Sequence, residues 1–255
     1  MNVEKSFAYW ATIQLYRAYL FTDGPVMETI RDAGNTMNIS ALSKIADSYS
    51  VARTIPAAPK NENGQGGDYN YILFLKALLN LRAKWPSGTL NRACACRETA
   101  NELAKNFKRK PQDEGQNKNY GAPHSAVTKL IWFLEPKGWT IYDQIVANAV
   151  LKGGGNTEDR QRRFYETIDQ PFAKYSKMIR PVLSTFNSKL HAERLVDMYL
   201  QFTGYKDDAR DKAMKRNRYF LKLLPKEIGK QLKTNGAEIA QILPNDAFGK
   251  EAHRS

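Results

Sequence analysis

A lysine in the middle of the chain has surroundings that can make its amine reactive. Lys129 is the only charged residue between Ala126 and Leu134, a run dominated by apolar side chains. Loss of hydration lowers the pKa of a lysine, and the neutral amine is a nucleophile near neutral pH. A lysine in such a run can equally extend its ammonium to the surface or grip a phosphate. The sequence leaves both interpretations of Lys129 open.

An aspartate follows this lysine after a short turn. Asp143 comes after Pro136 and Gly138, which break the first apolar run, and it directly precedes a second apolar segment, residues 144–151. An aspartate in that position accepts hydrogen bonds from the free amides at the start of a helix, and this capping role explains it without any chemistry. Its pairing with Lys129 across one turn makes it a candidate catalytic carboxylate as well.

Helices must position these two residues. Apolar side chains recur at helical spacing in most of the chain and period-two alternation is lacking, which predicts an all-α fold. We expect helices from about Tyr69 to Trp85 and from about Thr89 to Lys108. Ser125 is the expected cap of the helix that carries Lys129, and this helix must be buried because nearly all of its faces are apolar.

Stretches rich in Gly, Pro, Asn and Asp separate the predicted helices. They cover residues 56–70, 110–123, 134–139 and 152–159, and we interpret them as loops. A chain of 255 residues can form one large domain or two interlocked helical lobes. We treat it as a single helical domain, residues 1–255, with lobes near 1–68, 69–151 and 152–255.

The chain is strongly basic. Lys and Arg number 39 against 26 Asp and Glu, which gives a formal net charge of +13. Such an excess favours a polyanionic partner, with nucleic acid first, an anionic membrane surface second and simple solubility third. The cations occur in clusters, and those that we predict to contact DNA are Lys108, Arg109, Lys110, Arg160, Arg162, Arg163, Lys177, Arg180, Lys215 and Arg216.

Several other classes of protein fit the sequence poorly. No apolar run approaches a membrane span, and the first residues form an amphipathic pattern rather than a signal peptide, so we expect a cytoplasmic protein with no membrane partner. Cys94 and Cys96 are the only cysteines and are expected to be free thiols on a helix. The three histidines lie far apart, so we predict no metal site and no cofactor.

The part of the sequence that contains Lys129 and Asp143 resembles a known family of DNA repair enzymes. Residues 125–147 read S-x-x-x-K-L-I-W-F-L-x-P-(x)4-I-Y-D-Q-x-V-A. This run resembles the core of the helix-hairpin-helix DNA glycosylases, particularly the divergent branch with an oxoguanine-glycosylase fold. The chain has Gly121, Ala122, Pro123 and His124 where the family's hairpin usually carries a Gly-x-Gly turn. The resemblance implies that Lys129 and Asp143 stand at the family's catalytic lysine and aspartate.

The resemblance also implies a reaction and a partner. The reaction is cleavage of the N-glycosidic bond of a damaged or modified base in double-stranded DNA. The residues leave the base open between an oxidised purine and a bulky modified pyrimidine of the kind that phages carry, and the latter would suit a role in phage defence. Asp143 would stabilise positive charge on the sugar or orient a water, and Lys129 would either form a Schiff base at C1′ or hold the backbone. The flipped base needs an aromatic pocket, for which the candidates are Trp132, Trp139, Tyr142, Tyr120 and Trp10.

Two alternatives assign no catalysis to the chain. In the first, the protein is a DNA- or RNA-binding module in which Lys129 and Asp143 are structural. In the second, its charge recognises an acidic protein. The identity of the excised base and the oligomeric state do not follow from the sequence.

Overall fold

The computed structural model describes residues 3–49, 51–52, 54–107, 121–151 and 157–249, with the side chains of residues 157 and 158 excepted. Within these ranges the chain forms eleven α-helices, one short 3-10 helix and no strand, so the all-α prediction is confirmed. The helices are α1 (Phe7–Phe21), α2 (Asp23–Asp32), α3 (Ile39–Ser48), α4 (Tyr69–Ala83), α5 (Thr89–Asn106), α6 (His124–Leu134), α7 (Gln144–Val150), α8 (Thr157–Phe186), α9 (Ala192–Gly204), α10 (Asp207–Leu223) and α11 (Lys226–Ile242). None of these helices is long and apolar enough to cross a bilayer.

The chain divides into two compact units. Unit 1 combines Met1–Pro25 with Pro136–Ser255, and unit 2 is the continuous segment Val26–Glu135.

In unit 1, helix α1 is central. It packs against α9, α10 and α11, while α9 also packs against α7 and α8. Helix α1 is apolar on most of its faces, and Tyr9, Trp10 and Ile13 are buried. A helix that is apolar all round gains most when neighbours cover it on several sides, which explains its central place.

In unit 2, helix α6 packs against α3, α4 and α5. Nine of its eleven residues are buried, which confirms the expected burial of this segment. The expected cap is wrong, because the helix begins at His124 after Pro123 and places Ser125 inside its first turn. The Ser125 carbonyl there accepts a hydrogen bond from the Thr128 hydroxyl at 3.0 Å. Proline suits a helix start because it lacks an amide hydrogen.

The neighbouring predictions hold with small shifts. Helices α4 and α5 begin at the predicted residues and each ends two residues early, α4 because the residue before Pro86 avoids helical angles. The two cysteines are free thiols on α5, as predicted, with Cys94 exposed and Cys96 buried. Residues 56–68 and 135–139 lie outside helices, which confirms most of two predicted loops, while residues 69, 70 and 134 belong to α4 and α6. The predicted loop 152–159 is wrong at its end, because helix α8 begins at Thr157. An acidic residue such as Asp159 is favourable in the first turn of a helix. Residues 110–120 and 152–156 of the predicted loops lie outside the described ranges.

Candidate functional site

Asp143 caps helix α7, as the sequence predicted. Its backbone is extended, and its Oδ1 atom accepts hydrogen bonds from the amides of Ile145 at 2.9 Å and Val146 at 3.0 Å. The side chain is partly exposed. The aspartate is therefore anchored through one oxygen at the positive end of a short helix while part of its surface meets solvent.

The end of helix α9 packs directly on the start of α7. A Cβ atom built on Gly204 would lie 1.9 Å from the carbonyl oxygen of Ile145, so no larger residue fits there. This close approach brings Tyr205, which follows Gly204, into the electrostatic field of Asp143. The position of the candidate carboxylate therefore depends on a contact between helices that are distant in sequence.

The charge of Asp143 acts on two tyrosines, Tyr205 and Tyr142. Burial, and then the negative charge of Asp143, raise the pKa of Tyr205, while Arg216 opposes that rise. Burial also raises the pKa of Tyr142, with a smaller contribution from Asp143. Both phenols therefore remain protonated at neutral pH and can donate hydrogen bonds.

A chain of polar side chains leads from Tyr205 into unit 1. Tyr205 hydrogen-bonds Gln14, whose amide nitrogen donates to Gln201 at 3.3 Å. Gln201 in turn donates to Asp197 at 3.3 Å. This chain of hydrogen bonds ends at Asp197, which belongs to a buried ion triad. In the triad, Arg194 pairs with both Asp197 and Asp23. Buried polar groups linked in this way hold one geometry, because each lost partner leaves a costly unpaired group.

A second buried acid fixes the turn that precedes Asp143. Glu193 accepts hydrogen bonds from the Gly138 amide at 3.1 Å and from Arg180 at 2.8 Å. Gly138 has a φ of +78°, a conformation that favours glycine. The carboxylate of helix α9 thus ties the turn to helix α8.

Lys129 is less buried than its sequence context implied. The residues beside it in the chain, Thr128 and Leu130, are fully buried, but Lys129 itself is partly exposed on α6. An amphipathic side chain can run along apolar surface and keep its ammonium near water, which explains the difference. Lys129 belongs to unit 2, whereas Asp143 belongs to unit 1.

The aromatic residues proposed for a base pocket are core residues. Trp10, Trp132, Trp139 and Tyr142 are each at most 3% exposed. Trp139, for example, stacks on Tyr165 with ring centroids 5.8 Å apart. Because their faces are covered, none of the four presents a stacking surface for a base in this structure, which corrects the prediction for them. Tyr120 lies outside the described residues.

The predicted DNA-binding cations have different environments. The prediction that Arg160 contacts DNA is wrong, because this arginine is only 4% exposed and donates a hydrogen bond to Asn148. Arg162 is exposed but pairs with two carboxylates, and Arg180 pairs with Glu193. Arg163 is partly exposed, while Lys177, Lys215 and Arg216 are exposed. Lys108, Arg109 and Lys110 lie outside the described ranges.

Lys215 and Arg216 line a groove between helices α1 and α10. The groove has a volume of about 620 Å³. Two of its walls are exposed aromatic side chains, Phe21 at 68% and Tyr219 at 65% exposure. No acidic residue of the described part of the chain lines it, and its remaining lining residues are Arg17, Lys212, Phe220 and Leu223. We call these eight residues the α1–α10 groove.

The groove is electrostatically connected with the surroundings of Asp143. Burial, and then the like charge of Arg216, lower the pKa of Arg17, whereas Tyr205 opposes that effect. Tyr205 in turn feels both Arg216 and Asp143. A cationic groove and the candidate carboxylate therefore share one tyrosine as a neighbour.

Comparison with protein families, curated proteins and solved structures found no match. The chemistry therefore has to be inferred from the residues of this chain.

The sequence interpretation missed the aromatic members of the groove. One face of α10 carries residues spaced three or four apart, namely Lys212, Lys215, Tyr219 and Leu223, and Arg216 lies three residues before Tyr219 on the same side. An ordinary surface helix has its cations and its large apolar residues on opposite faces. Their occurrence on one face of α10 could have indicated a surface that binds a ligand through both charge and apolar contact. The charged residues inside the apolar segment of α9 were a similar signal for a buried ion network.

Proposed function

We propose that this chain is a DNA N-glycosylase that removes a damaged or modified base and leaves an abasic site. The observation that carries the proposal is the carboxylate of Asp143, which is anchored by two backbone amides and partly exposed, and whose charge acts on Tyr205. The groove cations Arg17 and Arg216 near the same tyrosine supply a positive field that favours a phosphate backbone.

The reaction places positive charge on the sugar. The C1′–N bond breaks, its electron pair leaves with the base, and the sugar gains oxocarbenium character. Asp143 stabilises that charge or orients the water that adds to C1′. The departing base takes up a proton, and an abasic sugar remains.

A substitution that keeps the cap but removes the charge tests this role. Asparagine caps helices about as well as aspartate, so Asp143→Asn leaves the melting temperature nearly unchanged. We expect it to lower the rate of base release by roughly 100-fold or more, the scale of a lost electrostatic group. The assay scores alkali-labile abasic sites in duplex oligonucleotides that carry an oxidised purine, hydroxymethylcytosine or its glucosylated form. Base release by Asp143→Asn at the parental rate would contradict the mechanism.

Borohydride trapping assigns the role of Lys129. If its neutral amine attacks C1′, the base leaves, the C1′–O4′ bond opens and an imine forms, which borohydride reduces to a stable adduct. A trapped adduct that disappears in Lys129→Gln makes the enzyme bifunctional. Base release without an adduct makes it a monofunctional hydrolase.

A non-catalytic nucleic-acid-binding protein is the second candidate. It is favoured by the two amides on Oδ1 of Asp143, because capping alone accounts for that aspartate. This candidate predicts salt-dependent DNA binding and no base release from any of the substrates. The same assay therefore distinguishes the two functions.

A further inference from the structure

The α1–α10 groove combines two surfaces that soluble proteins seldom leave exposed together. Phe21, Tyr219 and Leu223 present large apolar side chains to solvent, and each is at least 65% exposed. The cations Arg17, Lys212, Lys215 and Arg216 stand between them. Isolated exposed apolar residues are ordinary, but several that line one groove together with cations mark a binding surface.

The positive charge of the groove is largely uncompensated. Lys212 lies 3.8 Å from the carboxylate of Asp208, at an exposed site where such a pair is weak. Among the residues that the structure describes, Arg17, Lys215 and Arg216 form no ion pair. Arg17 and Arg216 moreover repel one another, so an anion that enters the groove relieves an existing repulsion.

We propose that the α1–α10 groove binds an unpaired stretch of DNA, with bases stacked on Tyr219 and Phe21 and phosphates held by Arg17, Lys215 and Arg216. Base stacking on aromatic rings combined with backbone cations is how proteins bind single strands without reading sequence. In duplex DNA the base faces are already stacked on each other, so the exposed rings serve an unpaired strand and gain little from a duplex. The proposal refines the proposed function by naming the state of the DNA, since a flipped base leaves a locally unpaired strand.

Other occupants of the groove fit less well. A second copy of this chain would bring a net charge of +13 against a cationic surface. An anionic membrane suits cations and aromatic side chains, but it requires a projecting surface, whereas Arg17 is partly buried and reachable only by a ligand that enters the groove. The membrane and RNA are therefore alternatives that the experiment must exclude.

The test is binding of a labelled, unmodified oligodeoxythymidylate of about 12 nucleotides to the full chain, measured by fluorescence anisotropy. We expect Tyr219→Ala to raise Kd roughly fivefold to 100-fold, and Tyr219→Phe to keep the parental Kd because the ring remains. Tyr219 is exposed, so its loss leaves the melting temperature near the parental value. The aromatic control is Tyr69→Ala on α4, also exposed, which should not change Kd.

Two double variants, each of which removes two positive charges from the protein, test whether the groove cations Lys215 and Arg216 hold phosphates. Lys215→Gln with Arg216→Gln should reduce the slope of log binding constant against log salt by about 1.4, at about 0.7 for each phosphate lost. Lys230→Gln with Lys233→Gln removes the same charge from exposed positions on α11 and should leave the slope close to the parental value.

Four results would overturn the proposal. They are an unchanged Kd for Tyr219→Ala, equal loss of slope in both double variants, equal affinity for the duplex of the same sequence, and tighter binding to oligouridylate or phosphatidylserine vesicles than to the DNA strand. The assay of base release uses a modified duplex, whereas the binding titration uses an unmodified single strand and needs no catalysis. Base release and strand binding can therefore fail separately, and each failure points to one proposal alone.

Discussion

At the scale of single residues, Gly204 decides where the candidate carboxylate sits. A methyl group at this position would lie 1.9 Å from the carbonyl oxygen of Ile145 and 3.2 Å from the amide nitrogen of Ala149. Both contacts are with backbone, which cannot move aside as the end of a side chain can. The glycine is therefore required by packing between α7 and α9.

We expect Gly204→Ala to lower the free energy of unfolding by about 1–3 kcal/mol or more, the usual cost of overpacking. The matched control is Gly229→Ala, another helical glycine, whose added Cβ would meet its nearest atom at an ordinary 3.8 Å. The control should be neutral or stabilising by up to about 1 kcal/mol. Urea unfolding followed by circular dichroism measures both. Equal stability of the two variants would refute the close approach.

His191 makes stability depend on pH. Burial lowers the pKa of this imidazole below its ordinary value, and Lys137 and Arg180 add to the effect while Glu193 and Asp23 oppose it. The folded protein therefore binds the proton less readily than the unfolded chain. The stability that this difference confers is complete above about pH 6.5 and is lost as the pH falls from there through the folded pKa.

We expect His191→Gln to lose less stability between about pH 7.5 and about pH 5 than the parent does, because glutamine does not titrate. The quantity to compare is the change in unfolding free energy between the two pH values within each protein. That comparison cancels any constant cost of the substitution itself. An equal or larger loss in the variant would show that His191 does not contribute.

At the scale of elements, α9 is held by charges rather than by apolar contacts alone. Arg194 lies between Asp23 at the start of α2 and Asp197 on the next turn of α9, and all three side chains are buried. Buried charges are tolerated only when paired, so the arginine satisfies two carboxylates at once. The beginning of α2 is thereby joined to α9.

Removal of the arginine should be costly. Arg194→Met leaves two buried carboxylates without their cation, and we expect it to lower the unfolding free energy by about 3–5 kcal/mol. The matched control is Arg31→Met, which breaks the exposed pair with Asp32 and should change stability by less than about 0.5 kcal/mol. Denaturant unfolding distinguishes the two. A small effect at position 194 would mean that the triad contributes little.

At the scale of the whole molecule, the formal charge of +13 makes association with polyanions depend on salt. For duplex DNA, the logarithm of the binding constant should fall linearly with the logarithm of salt concentration, by about 0.9 for each phosphate neutralised. Titrations between roughly 50 and 200 mM salt measure this slope. A slope near zero would exclude backbone contacts as the source of affinity and, with them, the proposed DNA partner.

The sequence by itself determined the class of fold, the starts of helices α4 and α5, the cap of α7 and the basic character of the chain. These properties depend on local spacing, on propensity and on counts of residues, which a sequence states directly. Asp143 as the cap of α7 is the clearest example, because the bonds that it accepts come from amides two and three residues away.

Only the tertiary structure decided which side chains meet. Unit 1 is formed from both ends of the chain, so Arg17 of the first segment interacts with Tyr205 and Arg216 of the second. The burial of Arg160 and the partial exposure of Lys129 likewise depend on which neighbours cover them. Such contacts arise from packing between distant segments, and local patterns carry no information about which distant partner a helix face will find.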